Sequence, residues 1–199
     1  MNIAVFVSGN GTNLQAIIDA VKKDYIKAKI ALIVSDNKEA YALKRAQKAG
    51  IETISLDARD FKSKEDFDKE IINNLKKHDI GLVALAGYMR LLTPYFIKEY
   101  RNRILNVHPA LLPSFKGKNG VKDALDYGVK VTGPTVHFVT EDIDRGPIVS
   151  QVAVSIKDDD TEDSLRKRIH EEEHKIYTKA IKDFVEGKLE MAGRKVLHK

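Results

Sequence analysis

The chain has 199 residues, 43% of them hydrophobic, with 34 Lys and Arg against 29 Asp and Glu and a formal net charge of +5. That is enough apolar material for one full core and too little for two comfortable domains, so a single domain over 1–199 is expected. There is no cysteine, no apolar run of the roughly 20 residues a membrane helix needs, and only a slight basic excess; disulfides, thiolate metal sites, a membrane partner and a nucleic-acid partner are excluded, and the cytoplasm is the expected compartment.

In chain order, the first strand is expected at Ile3–Val7 and runs into Ser8-Gly9-Asn10-Gly11-Thr12-Asn13. Glycines there let the backbone approach an anion, and the free N–H groups at the start of the following helix can bind it, so a phosphate is the natural guest. A tight turn without a ligand is the alternative. Leu14 stands where a dinucleotide fingerprint starting at Gly9 needs its third glycine, and no Lys-Ser or Lys-Thr pair makes a Walker loop. Further strands are expected at Ile30–Val34, Glu52–Ser55, Leu82–Ala86 and Ile104–Val107. Between the first four, Leu14-Ile17-Ile18-Val21, Ala42-Leu43-Ala46-Ala49 and Phe67-Ile71-Ile72-Leu75 recur at helical spacing. Asp36, after the second strand, either binds a ribose hydroxyl or begins the turn Asp36-Asn37-Lys38, and the turn is favoured.

Beyond Pro113, Val121-Ala124-Leu125 reads as a helix stopped by Gly128, and Thr135–Val139 and Ile148–Val154 read as an antiparallel strand pair. Asp158 to Thr161 supply caps for a long helix, Leu165-Ile169-Ile176-Ala180-Phe184, that ends at Gly187; the tail after it has no assigned role. The alternation predicts an α/β fold, doubly wound, with a mostly parallel but mixed sheet and helices on both faces.

Asn106-Val107-His108-Pro109-Ala110-Leu111-Leu112-Pro113-Ser114 is the most informative segment. Asn106 and His108 are two apart at the end of a strand, so both side chains face the same way and can donate to one developing negative oxygen. Pro109 and Pro113 restrict the loop. The alternative is a strand end with a turn. Downstream, Gly133-Pro134-Thr135-Val136-His137-Phe138-Val139 leads into Glu141-Asp142-Ile143-Asp144-Arg145-Gly146-Pro147, which places acids in a loop tethered by Gly and Pro.

The phosphate loop, the Asn-x-His-Pro-x-Leu-Leu-Pro segment, the Val-His-Phe-Val strand and the Asp-x-Gly-Pro loop follow one another at separations that resemble the phosphoribosylglycinamide formyltransferases, a family of folate-dependent enzymes of purine synthesis. The resemblance runs from the first strand through the last helix, with a Rossmann-like fold. It implies transfer of a formyl group from 10-formyltetrahydrofolate, a co-substrate, to the amine of glycinamide ribonucleotide, in a monomer or homodimer. It implies Asn106, His108 and Asp144 as the catalytic group. Gly11, Thr12 and Asn13 would hold the ribotide phosphate, with His170, Glu171, Glu172 and Glu173 completing that site. Lys64, Met89, Arg90, Leu91, Leu92, Asn106, Thr140, Glu141, Asp142, Ile143 and Asp144 would contact the folate. Residues 1–100 would form the ribotide phosphate-binding half and 101–199 the catalytic and folate-contacting half. Read without the resemblance, Met89, Leu91 and Leu92 are ordinary core residues. Relatives commonly carry Arg where this chain has Lys64, which turns a bidentate carboxylate clamp into a point charge.

Asp144 beside the imidazole is expected to raise the His108 pKa above its ordinary value. His137 reads as a hydrogen-bonded core residue, His78 and His198 as superficial. His174 follows Glu171-Glu172-Glu173, but consecutive helical residues diverge around the axis, so no metal is expected. Two other readings are weighed: a formyltetrahydrofolate hydrolase, in which water replaces the amine, disfavoured because the hydrolases carry an additional amino-terminal domain and because the loop Gly9 to Asn13 fits a ribotide, and a nucleotide-binding Rossmann module without formyl chemistry.

Overall fold

A computed structural model describes residues 1–199, which form two compact units, Met1–Leu105 and Asn106–Lys199. The first unit alternates strand and helix: β1 (Asn2–Val7), α1 (Thr12–Lys22), β2 (Lys29–Ser35), α2 (Tyr41–Lys48), β3 (Thr53–Ser55), α3 (Lys64–Lys77), β4 (Ile80–Leu85), α4 (Pro94–Glu99) and the start of β5 (Ile104–His108). Its strands run in the order β3-β2-β1-β4, all parallel. Ile3 through Val7 are wholly buried although successive side chains point to opposite faces, so both faces of β1 are covered. That is why this strand is apolar without alternation. The apolar faces of the flanking helices are buried with it, Leu14, Ile17 and Ile18 of α1 and Phe67, Ile71, Ile72 and Leu75 of α3.

Local signals fix the helix ends. Ser63 caps α3 by accepting from the Asp66 N–H, Glu65 and Asp66 occupy its first turn, and Lys76 and Lys77 its last, as the helix dipole favours. α4 was not expected: it is too short to show a period, but Thr93 caps it and Pro94 opens it, a pair that marks a helix start.

The second unit opens with Asn106–His108 of β5 and continues through α5 (Gly120–Tyr127), β6 (Val131–Thr132), β7 (Thr135–Phe138), β8 (Ile148–Gln151), β9 (Val154–Ser155), α6 (Glu162–Val185), β10 (Leu189–Ala192) and β11 (Lys195–His198). β7 and β8 are antiparallel, as expected, whereas β8 and β11 are parallel, so the sheet is mixed and mostly parallel. The expected strand over 148–154 is broken. Gly133, at φ +142°, lies so close to the Val152 carbonyl that a Cβ there would stand 1.9 Å from the oxygen; this crossing interrupts the strand, and Val154 and Ser155 pair with β6 instead. The tail forms the hairpin β10–β11, turned at Gly193 with φ +62°. Thr161 and Ser164 make a reciprocal capping box on α6. No helix is long and apolar enough to cross a membrane.

Candidate active site

β5 carries Asn106, half-buried, and His108, buried, on one face. The His108 ring donates at one nitrogen and faces a carboxylate with the other. Nε2 lies 2.8 Å from the Phe115 carbonyl, which can only accept, so Nε2 bears the proton; Nδ1 lies 3.5 Å from Oδ2 of Asp144. Asp144 adopts φ +50°, a left-handed conformation that Asp tolerates better than most residues. Two residues on, Gly146 passes the Phe138 carbonyl so closely that a Cβ would sit 1.7 Å from its oxygen. The loop therefore folds back against β7, and Asp144 also accepts from the Gly117 N–H at 2.9 Å.

A fourth residue joins this group. His137 Nδ1 lies 2.9 Å from the Phe138 carbonyl and so carries the proton, leaving Nε2 to accept from Asn106 Nδ2 at 3.1 Å. The same Nε2 stands 3.6 Å from Asp144 Oδ1. His137 is a hydrogen-bonded core residue, as expected, yet its partners are the candidate catalytic groups. That role is invisible in a Val-His-Phe stretch until β7 is laid beside β5. By taking one Asn106 N–H it orients the amide and leaves the other to donate elsewhere.

The expected rise in the His108 pKa is corrected. Burial opposes the charged ring and pushes it below 6.5, outweighing the Asp144 carboxylate and the Phe115 carbonyl, which act in the opposite direction. Burial also works against the Asp144 anion, but the His137 ring, the Gly117 N–H and the His108 ring, the two rings acting when they carry a second proton, prevail and hold it below 3.8. The resting pair is a neutral imidazole facing a carboxylate.

The loop after His108 is pinned by residues the sequence did not single out. Thr135, fully buried, donates to the Ala110 carbonyl at 2.6 Å and accepts from the Leu112 N–H at 3.0 Å and from Gln151 Nε2 at 2.9 Å. Gln151 also donates to the Leu112 carbonyl at 2.9 Å. Thr135→Val keeps the shape but orphans the Ala110 and Leu112 groups, at about 1–3 kcal/mol for each buried group left unpaired. The urea midpoint should fall with an unchanged slope, and Thr135→Ser should recover most of the loss.

In the first unit, Gly11 at φ +73° turns the phosphate loop into α1, and a Cβ on it would lie 2.6 Å from that of Ala42. No side chain caps α1, whose first turn begins at Thr12 directly after the loop. α2 braces the loop from behind: the Ala42 N–H donates to the Gly9 carbonyl at 3.0 Å and Arg45 Nε to the Asn10 carbonyl at 2.9 Å. The turn after β2 is closed one residue later than expected, by the Ala40 N–H on the Asn37 carbonyl, and Asp36 just before it accepts from Ser8 Oγ at 2.5 Å.

Met89 and Leu91 are 55% and 66% exposed, which removes the reading of these two as core. Arg90 stacks over the Phe67 ring of α3, 4.7 Å from its centroid, and Lys64 is exposed in the first turn of the same helix. Glu141, Asp142 and Ile143 are exposed and Thr140 half-buried. The side chains of His170–Glu173 do not share one face, because four consecutive helical residues point around most of the axis. His170 and the buried Glu173 share a face, 4.0 Å apart; Glu171 is exposed, and Glu172 pairs with Lys175 at 2.7 Å.

An amide, two imidazoles and a carboxylate gathered at the ends of β5 and β7 in an α/β fold suit transfer of an acyl-type group, and residues 1–181 match the formyl transferase family. The chain belongs to that family. Its homologues include the phosphoribosylglycinamide formyltransferases of Escherichia coli K12, 43% identical over 96% of this chain and 90% of that one, and of Bacillus subtilis 168, 41% identical over 92% and 93%. The crystal structure of glycinamide ribonucleotide transformylase 1 from Symbiobacterium toebii superposes with a TM-score of 0.98 at 45% identity, covering 100% of this chain and 93% of that one.

Proposed function

We propose that this protein transfers the formyl group of 10-formyltetrahydrofolate to the amine of glycinamide ribonucleotide, and that Asn106, His108 and Asp144 are its catalytic residues. The observation that carries this reading is the convergence of Asp144 on His108 and His137, with Asn106 tied to His137. The amine nitrogen attacks the formyl carbon, a C–N bond forms, and the carbonyl electron pair moves to oxygen. The free N–H of Asn106 donates to that oxygen. The proton leaving the amine passes, through water ordered on Asp144, to the neutral His108. The imidazolium so formed is stabilised by the Asp144 carboxylate and returns the proton to the folate nitrogen as the carbon–nitrogen bond to it breaks. One proton moves from amine to leaving nitrogen and no covalent enzyme intermediate forms. Gly11, Thr12 and Asn13 take the ribotide phosphate, and Met89, Arg90, Leu91 and Leu92 with Thr140 to Asp144 take the folate.

The test follows deformylated folate with purified protein, with and without the ribotide. Ribotide-dependent consumption of the donor is expected. Formate release that ignores the ribotide would instead identify a hydrolase, and no turnover together with binding of a nicotinamide dinucleotide would identify a Rossmann module without formyl chemistry.

A further inference from the structure

The segment Met89–Leu92, with Met89 and Leu91 exposed, is suspended between two polar anchors inside the first unit. At its far end the carboxylate of Asp68, 3% exposed on α3, accepts from both the N–H and the Oγ1 of Thr93, each at 2.7 Å. At its near end the Met89 N–H donates to Ser8 Oγ at 2.8 Å. Ser8 in turn donates its proton to Asp36 Oδ1 at 2.5 Å, which fixes the hydroxyl so that a lone pair faces Met89. The Ser8 carbonyl accepts from Asn37 Nδ2 at 3.2 Å. The two anchors differ in one respect. Asp68 sits in the middle of a helix, whereas Ser8 is the first residue of the loop that ends in Gly11, Thr12 and Asn13, with Gly9 and Asn10 exposed behind it.

One hydroxyl therefore belongs to two loops at once. We propose that Ser8, oriented by Asp36, is a positioning residue that couples ribotide binding to folate binding; this rests on the formyl-transfer reading above. An anion seated on the first turn of α1 adds a further restraint to the loop that α2 braces at Gly9 and Asn10, back to Ser8, and so strengthens the hold of the Ser8 hydroxyl on the Met89 N–H at the near end of the folate segment. A folate meeting an already ordered segment loses less conformational entropy, and linkage requires the ribotide to benefit by the same factor. Asp36, which a dinucleotide reading would place on a ribose, orients this bridge.

The measurement is calorimetric titration of tetrahydrofolate, the deformylated product, into wild type, Ser8→Ala, Ser8→Thr and Asp36→Ala, each with and without saturating glycinamide ribonucleotide. In wild type the ribotide should tighten tetrahydrofolate by about fivefold or more, the lower end of common coupling factors. Ser8→Ala should bring the ratio below about twofold, in a range where coupling has effectively vanished. Ser8→Thr, which keeps the hydroxyl, should restore it. Asp36→Ala frees the hydroxyl to rotate and should at least halve the ratio; it carries the test if Ser8→Ala does not fold. A hydroxyl that merely supports the fold would weaken both affinities and leave their ratio alone. A wild-type ratio retained in Ser8→Ala and Asp36→Ala, or a ratio of one in wild type, overturns the proposal. Ribotide-dependent turnover by wild type separates that outcome from failure of the formyl-transfer reading, which predicts turnover whether or not binding is coupled.

Discussion

Asn106→Ala is expected to lower kcat for formyl transfer by about 10²–10³-fold, the usual consequence of losing one oxyanion donor. The reasoning starts from the bond Asn106 already makes. One N–H is spent on His137 at 3.1 Å, so the amide is held in place before any substrate arrives, and the second N–H costs no reorganisation when charge develops on the formyl oxygen. Because that charge exists only in the tetrahedral state, kcat and kcat/KM should fall together while KM for either substrate stays nearly constant. A raised KM at constant kcat would show instead that Asn106 merely binds the donor, and near-normal turnover would remove it from the chemistry. Substituting Ala also frees His137 Nε2, so His137→Ala measured alongside Asn106→Ala and the double variant should be strongly non-additive, as expected of residues in one network.

Asp144→Asn is expected to cost about 10²–10⁴-fold in kcat, the range of general acid–base contributions. The amide keeps the shape of the carboxylate but can neither stabilise an imidazolium nor take part in moving the amine proton. The direction of the His108 titration follows. In wild type, burial holds the ring below 6.5, opposed by Asp144; removing the carboxylate deletes the opposing influence, so the His108 proton signals should titrate at lower pH in Asp144→Asn than in wild type. A ring that titrates above 6.5 in wild type, or does not move in the variant, would contradict the electrostatic role of Asp144. The same shifts set the acid stability of the fold. A histidine whose folded pKa is depressed contributes stability fully above 6.5, lost as pH falls from there through the folded value. Asp144, depressed below 3.8, adds a second loss at lower pH. In wild type both losses should be visible in denaturant midpoints, and Asp144→Asn should abolish the second contribution from this residue.

The expected strands and helices of the first unit lie within a residue or two of their places, because each carries its own evidence. β1 reads as an apolar run, α3 as a capped amphipathic stretch, and neither depends on a remote partner for its period. The elements that escaped notice are the short ones. α4 has six residues and β9 two, too few for periodicity to emerge, and β10, at the sheet edge, and β11 beside it are largely solvent-facing strands whose pairing, not composition, makes them strands.

The candidate site divides in the same way. Asn106 and His108 were legible together because a strand's two-residue repeat is local, and the glycines of the phosphate loop because a turn's demands are local. Asp144 was tied to them by resemblance alone. His137 as a neighbour of Asn106, Thr135 as the clasp of the Ala110–Leu112 loop, and Ser8 as the acceptor for Met89 all depend on contacts between residues 23 to 81 positions apart. The protonation of His108 departs from the motif-based expectation for a related reason. A neighbouring carboxylate can be inferred from a motif, but desolvation is the sum of everything packed around the ring, and only the folded chain determines how much water is excluded. Residue order by itself decided the elements, the capping and the chemical groups available; tertiary packing decided which groups meet, which proton sits on which nitrogen, and which charge is tolerated, because those quantities depend on distance and dielectric rather than on neighbours along the chain.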